Sequence, residues 1–552
     1  MAAGNRNCLV GLTLGVLACA TLAAASAAGA TARGFKYGVA AGDVSSSSAI
    51  LWAKASKSGT AEVQIVRRGG FAKCDPDDAP GNRRVKAKRS NDNTVEQKVK
   101  KLDPDTAYKF RFCRAGGKRS ETGKFKTAPD SKSKQTISFA LAGDQDARPL
   151  PGEATPYWNE FEVWDRIRRQ RNHFNVLLGD TIYSDTEVPG YTLADVALTV
   201  KQKRQAYKTN LKMRPWARTR GATAYYAGWD DHEFVNDFAR GENLFPLGVG
   251  DVEIDGEELY DRGVKAFTEY NPITYRKKTG IYRSVQWGKN LEIFFLDDRS
   301  FRSNGADYLG ACDNPPGSGD PDVAPTAPQS TRDTFSAVVP SLANPPPPGC
   351  LATINDPSRT MLGAKQLAKF TRQVANSNAT FKVIFNQVPI QQYYVLPYDR
   401  WEGYEIERQA LLAELQQVKN VVFLATDVHA NLVNDARFST LEQGGPVNSG
   451  ITEVVTGPVA TAPYALEISD ATGVETAGAL VQSAFLKPQP PNGVGMQCAA
   501  MDQFSYAQVA VSKQRITIDL LDASDQPVLD TGDLATAPPT TPACGQIVIP
   551  KQ

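Results

Sequence analysis

Oxygen-bearing side chains follow six apolar segments of the sequence, at the point where each segment ends. They are Asp144, Asp180, Asp230 with Asp231, Asp297 with Asp298, Asn386, and Asp427 with His429. If the segments are neighbouring strands, their carboxyl ends border one crevice and bring these groups together. Carboxylates that converge in this way repel one another and raise each other's pKa unless cations neutralise them. The pattern therefore predicts a metal cluster held mainly by oxygen ligands.

Each of these residues has a simpler explanation when it is taken singly. An aspartate after a strand most often caps the next helix, because its carboxylate accepts free amides of the first turn. That explanation weakens when six strand ends in succession carry such groups. The sequence therefore favours a shared site over independent caps.

Two short segments sharpen the prediction. In Gly179-Asp180-Thr181-Ile182-Tyr183 an aspartate and a tyrosine lie three residues apart, where both can reach one ion. Phenolate is a hard donor suited to Fe(III), although spacing alone equally allows an ordinary, partly buried tyrosine. In Trp229-Asp230-Asp231-His232-Glu233 three acids surround one imidazole, which indicates either a general acid or a capping aspartate beside a solvated glutamate.

Composition and charge exclude several other classes of site. The chain of 552 residues contains only three histidines, His173, His232 and His429, so a histidine-rich zinc centre would need all of them. The net charge is 62 − 60 = +2, which argues against a strongly basic nucleic-acid-binding module. Hydrophobic residues make up 41% of the chain, which is typical of a soluble globular protein.

The elements that must position these side chains differ between the two parts of the chain. From Phe35 to about Lys126 short alternating runs predict a small β-sandwich, and a polar linker follows at Thr127 to Lys134. Beyond the linker, apolar strands alternate with amphipathic helices, which indicates an α/β domain. The strands are predicted at Ile137 to Ala142, Phe174 to Leu178, Ala222 to Ala227, Leu291 to Leu296, Phe381 to Phe385 and Val421 to Ala425, the helices at Trp158 to Arg169, Gly363 to Asn376 and Glu405 to Gln417, and a closing β-rich edge at Ser505 to Leu521.

The first residues predict export. An apolar run from Cys8 to Ala25 follows Arg6 and is too short for a good membrane span, which indicates a signal peptide over residues 1–32. A lipoprotein anchored at Cys19 is the alternative, and no other stretch predicts a membrane span. We expect a periplasmic or extracellular protein.

The remaining cysteines predict disulfides. Six remain after removal of the signal peptide, and an even number in an exported chain indicates disulfide bonds. They fall into three local pairs, Cys74 with Cys113, Cys312 with Cys350, and Cys498 with Cys544, which give the simplest connectivity; free buried cysteines are the alternative. The middle pair encloses a loop rich in proline, which a bridge at its base would constrain.

These motifs, in this order, resemble the PhoD-like, or alkaline phosphatase D, family of metallophosphoesterases. The resemblance covers essentially the whole mature chain. Its motifs are Phe35-Lys36-Tyr37-Gly38-Val39-Ala40-Ala41-Gly42-Asp43 with Ile50-Leu51-Trp52, Gly179 to Tyr183, Trp229 to Glu233 with Asn236-Asp237, Leu296-Asp297-Asp298-Arg299, Leu362 to Gln366, Asn386-Gln387, and Asp427-Val428-His429.

The resemblance implies a fold and a set of roles. It implies a two-sheet α/β/β/α core after a small all-β sandwich of fibronectin or immunoglobulin type, with Fe(3+) and Ca(2+) as cofactors. Asp180 would bridge the metals, Tyr183 would bind iron, and Asp231, Asp427 and His429 would complete the cluster. Asn236 is a further candidate ligand. His232 would act at the leaving group or the phosphate, and Arg299 would clamp the phosphate or form a salt bridge to Asp297 or Asp298.

Two departures from the family pattern leave the metal identity open. Where the family carries a cysteine ligand, this chain reads Ala142-Gly143-Asp144-Gln145-Asp146. Asp144 resembles instead the first acid of the wider superfamily, with Asp146 at the place of its usual histidine. Thr426 replaces a glycine before the last motif. Hard carboxylates and phenolate still disfavour a metal that prefers thiolate ligands.

The expected activity is hydrolysis of phosphoric mono- or diesters by direct attack of a metal-held hydroxide on phosphorus. The alternative is an exported protein that binds a surface polymer and has a degenerate metal site. We expect a monomer with a signal peptide (1–32), a β-sandwich (33–128), a phosphatase domain (135–522) and a C-terminal extension (523–552) tied by Cys498 and Cys544.

Overall fold

The computed structural model describes residues 34–77, 79–244, 254–441, 445–486, 493–529 and 544–552. The predicted signal peptide and Cys19 lie outside these residues. Among the described residues, none of the helices has both the length and the apolar character needed to span a lipid bilayer.

The N-terminal part is a β-sandwich, as the alternating runs predict. Its inward-facing apolar residues, among them Leu51, Val63, Phe110 and Phe112, form one core. Its strands are β1 (Phe35–Gly42), β2 (Ser48–Ala55), β3 (Gly59–Val66), β4 (Arg84–Ala87), β5 (Thr94–Lys100), β6 (Ala107–Arg114), β7 (Lys118–Arg119) and β8 (Gly123–Lys126).

The larger part alternates strands and helices. Its strands are β9 (Ile137–Ala142), β10 (Phe174–Leu178), β11 (Tyr225–Gly228), β12 (Asn243–Leu244), β13 (Ile254–Asp255), β14 (Arg283–Trp287), β15 (Leu291–Phe295), β16 (Phe381–Phe385), β17 (Val421–Ala425), β18 (Asn431–Ser439), β19 (Val447–Val455), β20 (Cys498–Ala500), β21 (Ser505–Val511), β22 (Arg515–Asp522) and β23 (Gln546–Pro550). Its helices are α1 (Glu162–Gln170), α2 (Val200–Asn210), α3 (Arg214–Ala222), α4 (Gly256–Tyr270), α5 (Gln329–Phe335), α6 (Pro348–Ile354), α7 (Ala364–Ala375), α8 (Glu405–Gln416), α9 (Tyr464–Thr472) and α10 (Ala477–Leu486).

Two sheets form the centre of this part and confirm the expected α/β/β/α arrangement. One has the order β23-β22-β21-β9-β10-β11-β1-β2-β5, and the other has the order β14-β15-β16-β17-β19-β18-β20. Their facing surfaces bury a shared apolar core that includes Phe139, Val176, Phe385 and Leu424. The outer face of the first sheet packs against α1, α3 and α4, and that of the second packs against α7 and α8. Strands buried on both faces explain why the sequence shows continuous apolar runs.

The two ends of the chain are joined to the core more closely than the predicted domain boundaries imply. Gly42 of β1 pairs with Tyr225 of β11, so one half of the sandwich continues the first core sheet. The C-terminal extension also contributes to this sheet, because β23 pairs with β22 and forms its edge. The β-rich segment predicted to close the edge therefore lies inside it, with β21 paired to β9. The domain boundaries themselves stay a prediction.

The structure contains two of the three predicted disulfides. Cys312 is bonded to Cys350 across the proline-rich insertion, and Cys498 is bonded to Cys544. Cys74 and Cys113 are free thiols, so the third bridge is not formed, although the two side chains are adjacent. Burial, followed by the contact with Cys74, raises the pKa of the Cys113 thiol.

A buried lysine on α2 connects two loops at the carboxyl end of the first sheet. The Lys203 side chain is 0% exposed, and its Nζ donates to Ser184 Oγ at 2.7 Å and to the Phe234 carbonyl at 2.8 Å. These acceptors lie in the loops that follow β10 and β11. Burial lowers the pKa of Lys203 to about 7, although Asp185 and Glu233 oppose the shift.

We predict that Lys203→Met destabilises the protein by about 1 to 3 kcal/mol, because both acceptors lose their donor in a buried place. The difference in the free energy of unfolding between wild type and variant grows as the pH rises from 7 towards about 10.4, the ordinary pKa of lysine. In this pH range the unfolded wild-type chain keeps a proton on Lys203 that the folded protein has released. Thermal unfolding across pH 7 to 9.5 measures both effects.

The matched control is Lys201→Met, which changes an exposed lysine on the same helix and should preserve the wild-type pH dependence. A stability difference between wild type and Lys203→Met that stays constant with pH would contradict the buried, titrating lysine.

Candidate metal centre

The predicted ligands lie in turns directly after β9, β10, β11 and β17. Four of them, Asp144, Asp180, Asp427 and His429, have positive φ angles between 42° and 73°. This left-handed conformation is costly for residues other than glycine and is concentrated at functional sites. The chain therefore bends sharply at each strand end and turns the side chain back over the edge of the sheets.

Hydrogen bonds hold two of these turns in place. The carbonyl of Asp144 accepts the amides of Val459 and Ala460 at 3.1 and 3.0 Å, and that of Asp180 accepts the Gln145 amide at 3.2 Å. Thr426 donates from Oγ1 to the Leu178 carbonyl at 2.9 Å and so joins the ends of β17 and β10.

The turns bring the predicted ligands into one contiguous cluster. Among the described residues, five overlapping groups have ligand atoms within 4.8 Å of one another, and three of these groups hold two or more of the predicted ligands: Asp144 with Asp180 and His429, Asp180 with Asp231 and His232, and Asp230 with Asp231 and Asp427. Asp180 belongs to the first two groups and Asp231 to the last two. The carboxylate of Asp180 thus lies where it can serve two neighbouring cation positions.

The Asp144 carboxylate shows most directly that the cluster suits a cation. The residue is 0% exposed, and neither carboxylate oxygen accepts a regular hydrogen bond, although the Asp427 backbone amide stabilises its charge. Burial raises its pKa to about 7, although His429 opposes the shift. Burial also raises the pKa of Asp427, with a further contribution from Asp399, to about 8. Buried carboxylates without partners are costly unless a cation or proton compensates them, so the donor set fits a hard metal ion.

Tyr183 lies inside this cluster rather than in an ordinary core position. Its hydroxyl is 2.8 Å from His429 Nε2 and 3.3 Å from Asp180 Oδ2. Burial, followed by the charges of Asp180 and Asp144, raises the pKa of the phenol well above its usual value. Without a cation the phenol therefore keeps its proton, and a cation at this position would favour the phenolate.

A carboxylate outside the cluster orients each of the two imidazoles. His232 Nδ1 lies 2.7 Å from Asp185 Oδ1, and His429 Nδ1 contacts Glu467 of α9. Burial alone lowers the pKa of His429, but the Glu467 charge outweighs it and gives a value of about 10. Burial also lowers the pKa of His232. The charges of Asp185 and Asp231 outweigh this effect and raise the pKa well above its usual value. His429 thereby presents Nε2 to the Tyr183 hydroxyl, and the His232 ring lies within ligand distance of Asp180 and Asp231.

Arg299 is fully buried beside the cluster, and its ion-pair partners differ from Asp297 and Asp298, which the sequence suggested. Its Nε pairs with Asp230, and its two terminal nitrogens pair with Asp399, Nη2 at 2.7 Å. Nη2 also lies 3.7 Å from Asp231 and 3.6 Å from Asp427. The alternative salt bridge to Asp297 or Asp298 is therefore not the one formed.

Several residues with the same sequence signature have structural roles. Asp297 accepts from Trp229 Nε1 at 3.0 Å and from the Ile281 amide at 2.9 Å. Asp298 accepts the Gln387 amide at 3.0 Å, and Asn386 Oδ1 accepts from Trp401 at 3.2 Å. Asp146 bonds Thr186 and the Arg148 amide. In these contacts the side chains stabilise turns. Only four of the six strand ends therefore contribute side chains to the cluster.

Asn236 is exposed, and its backbone amide donates to Asp185 Oδ2 at 2.6 Å. The residue thus lies at the rim of the cluster, beside the loop that carries Tyr183. Its role as a ligand stays a prediction.

Three residues of the site were missed by the sequence reasoning. Asp185 lies two residues after Tyr183 and had a local signal, a further acid in the same turn. Glu467 and Asp399 had none, because they come from segments far away in sequence and reach the site only through the fold. Burial raises the pKa of Asp399, but Arg299 and Arg302 outweigh it, so this carboxylate stays ionised.

Comparisons with known proteins agree with this architecture. The family described as PhoD-like phosphatase matches residues 152–520, and its N-terminal domain matches residues 21–129. Alkaline phosphatase D of Bacillus subtilis (strain 168) is 22% identical over 430 residues, 72% of this chain and 64% of that protein. The chain thus spans less than two thirds of the length of that curated relative.

Two solved structures share the fold. A structure of PhoD superposes with a TM-score of 0.66 and 17% identity, covering 95% of this chain and 91% of that one. A purple acid phosphatase, PPD1 from yellow lupin (Lupinus luteus) seeds, has a TM-score of 0.52 and 12% identity, covering 92% of this chain and 77% of that one. Since the first family model spans more than half of the sequence, the protein belongs to the PhoD-like phosphatase family.

Proposed function

We propose that this protein is an exported, metal-dependent hydrolase of phosphoric mono- or diesters. The observation that carries the proposal is the Asp144 carboxylate, which is wholly buried beside Asp180 and His429 and accepts no regular hydrogen bond. A protein that only binds a polymer has no need for such a costly group. Family membership supports the same reaction class.

The ligand set divides around Asp180. Asp144, Tyr183 and His429 lie on one side and would hold Fe(3+), for which phenolate is a suitable hard donor. Asp231 and Asp427, with Asn236 at the rim, lie on the other side and would hold Ca(2+), which prefers oxygen ligands. When bound, the metals supply the Lewis acidity that activates water and offsets charge on the phosphate oxygens.

His232 is proposed as the proton donor to the leaving oxygen. Asp185 lies 2.7 Å from its Nδ1, which holds the ring in one orientation and leaves Nε2 as the nitrogen that would donate a proton. The Tyr183 ring packs against it with centroids 4.1 Å apart and restricts its rotation. A donor held this rigidly can protonate an alkoxide as the ester bond breaks.

Arg299 is proposed to contact the phosphate through Nη2, the atom nearest to Asp231 and Asp427. Asp399 and Arg302 hold the guanidinium in position, with Arg302 Nη1 2.7 Å from Asp399. In the absence of substrate the same charge reduces repulsion among the ligands.

Export is supported by the disulfides Cys312–Cys350 and Cys498–Cys544, because such bonds persist mainly in oxidising compartments. Fractionation of cells that express the full chain tests this part. Recovery of the protein in the cytoplasm with reduced thiols would contradict it.

We predict that the purified protein hydrolyses p-nitrophenyl phosphate, bis(p-nitrophenyl) phosphate, or both, and that a chelator abolishes the activity until Fe(3+) and Ca(2+) are restored. Asp180→Ala should lower kcat/KM at least about a hundredfold, because it removes a ligand shared by both positions. Steady-state assays on both esters measure these effects and the preference between them.

The control is Asp195→Ala, which changes an acid in an exposed turn that belongs to none of the groups of candidate metal ligands. It should retain the wild-type kcat/KM. If neither ester is hydrolysed with metals supplied, the catalytic proposal fails in favour of the polymer-binding alternative; full activity in Asp180→Ala would exclude the ligand assignment.

We predict that His232→Asn impairs hydrolysis of phenyl phosphate more than that of p-nitrophenyl phosphate. A poor leaving group needs the proton, whereas p-nitrophenolate leaves without it, so the ratio of the two kcat values should change by about 10². The kcat values of wild type and variant on both esters give this ratio. Equal losses on both esters would indicate that His232 has a ligand or structural role instead.

A further inference from the structure

A basic cleft lies where the sandwich meets the core, and the proposed reaction does not use it. Its volume is about 290 Å³. Four cations line it, Arg67, Lys109, Lys124 and Lys126, and all come from the sandwich. The opposite wall is formed by residues that precede β10 and β11, including His173.

This cleft is separate from the metal centre. His173 precedes β10, whereas Asp180 follows the same strand, so the two sites lie at opposite ends of the first sheet. At about 3.3 Å per residue the separation along this strand is roughly 20 Å. No residue that lines the cleft belongs to the clusters of candidate metal ligands in the described part of the chain.

Two lysines of the cleft oppose each other directly. Lys109 of β6 and Lys124 of β8 are cross-strand partners in the antiparallel pair. Like charges in this position destabilise a sheet unless a counter-charge lies between them. Within the described residues neither lysine forms an ion pair, and both are exposed.

The nearby acids compensate only the other two cations. Arg67 pairs with Asp103 at 2.6 Å, and Lys126 pairs with Asp105 at 2.6 Å. The cleft therefore keeps an excess of two positive charges, which belong to Lys109 and Lys124. Tyr108 and Phe125 alternate with these lysines along β6 and β8 and turn their rings into the sandwich core, so Lys109 and Lys124 project from the outer face of the two strands.

His173 adds a neutral donor on the opposite wall. The Ser138 amide donates to His173 Nδ1 at 3.1 Å, so Nδ1 is the acceptor and the proton of the neutral ring lies on Nε2. Burial, followed by the charge of Lys126, lowers the pKa of His173, which favours this neutral form. His173 thus lines the opposite wall of the cleft with a neutral ring that carries an N–H donor.

We propose that this cleft is a second binding site, for a multivalent phosphate-type oxyanion such as inorganic phosphate or a diphosphate group. Two uncompensated ammonium groups match a dianion, since lysine binds phosphate as a point charge. The site is independent of the proposed hydrolysis, and its ligand is bound without being cleaved.

Lysine acylation of the full chain tests the proposal. The protein is treated with an acetylating reagent at constant ionic strength, with inorganic phosphate, with methylenediphosphonate as a diphosphate that resists hydrolysis, or with acetate as a monovalent control. Saturating diphosphonate should slow acylation of Lys109 and Lys124 at least about threefold, by occupying their ammonium groups. Exposed Lys86 and Lys98 of the same sandwich are the internal controls and should be unaffected.

The inorganic phosphate arm distinguishes the sources of the group. Protection by phosphate as well as diphosphonate identifies a site for the free anion, and protection by diphosphonate alone identifies a site for a diphosphate group. Equal labelling of Lys109 and Lys124 with and without both anions, or equal protection of all four lysines, would overturn the proposal.

Matched double variants provide a second readout. In Lys109→Gln/Lys124→Gln the affinity for diphosphonate at this cleft should fall at least about tenfold, because two charged donors are lost. The rise in Tm with diphosphonate should then be smaller than in Lys86→Gln/Lys98→Gln, while both variants hydrolyse p-nitrophenyl esters like the wild type. The same Tm rise in both would overturn the site, whatever the fate of the proposed hydrolysis.

Discussion

The mutual repulsion of buried carboxylates is the constraint on which the structure depends. Asp144, Asp180, Asp231 and Asp427 approach one another at the joined edge of two sheets, where little water can screen their charges. Within the chain, Arg299 compensates part of this charge from one side. The rest requires protons or cations, and Asp144, whose two carboxylate oxygens accept no regular hydrogen bond, is a place where this need is evident.

The surrounding fold holds these groups together against that repulsion. Asp185 and Glu467 each fix one imidazole, and Asp399 fixes Arg299. The loop that carries Asp399 is itself supported by the proline-rich insertion, because the Tyr398 hydroxyl donates to the Asp322 carbonyl. Asp322 in turn pairs with buried Arg332 at 2.7 Å, inside the loop closed by Cys312 and Cys350. The insertion thus contributes to the site without reaching it.

The sequence predicted the parts of this arrangement that depend on local patterns. Continuous apolar runs identified the strands to within a few residues, and the acids after them identified Asp144, Asp180, Asp231 and Asp427. The same pattern could not distinguish these four residues from Asp297 and Asn386. Asp297 and Asn386 bind neighbouring side chains that only the folded structure brings close to them. Asp399, Glu467 and the edge strand β23 were missed for a related reason, since each joins its partner across a long separation in sequence. The first helix begins at Glu162 rather than near Trp158, because Phe161 has a positive φ of 64° and interrupts it.

The visible absorption spectrum of the iron-loaded protein tests whether the buried cluster is a metal centre with Tyr183 as a ligand. Wild type and Tyr183→Phe are compared at equal iron content, with Tyr207→Phe as a control that changes a neighbouring buried tyrosine. We expect a phenolate-to-iron charge-transfer band in wild type and Tyr207→Phe and its loss in Tyr183→Phe. An unchanged band in Tyr183→Phe, or no band in iron-replete wild type, would contradict it.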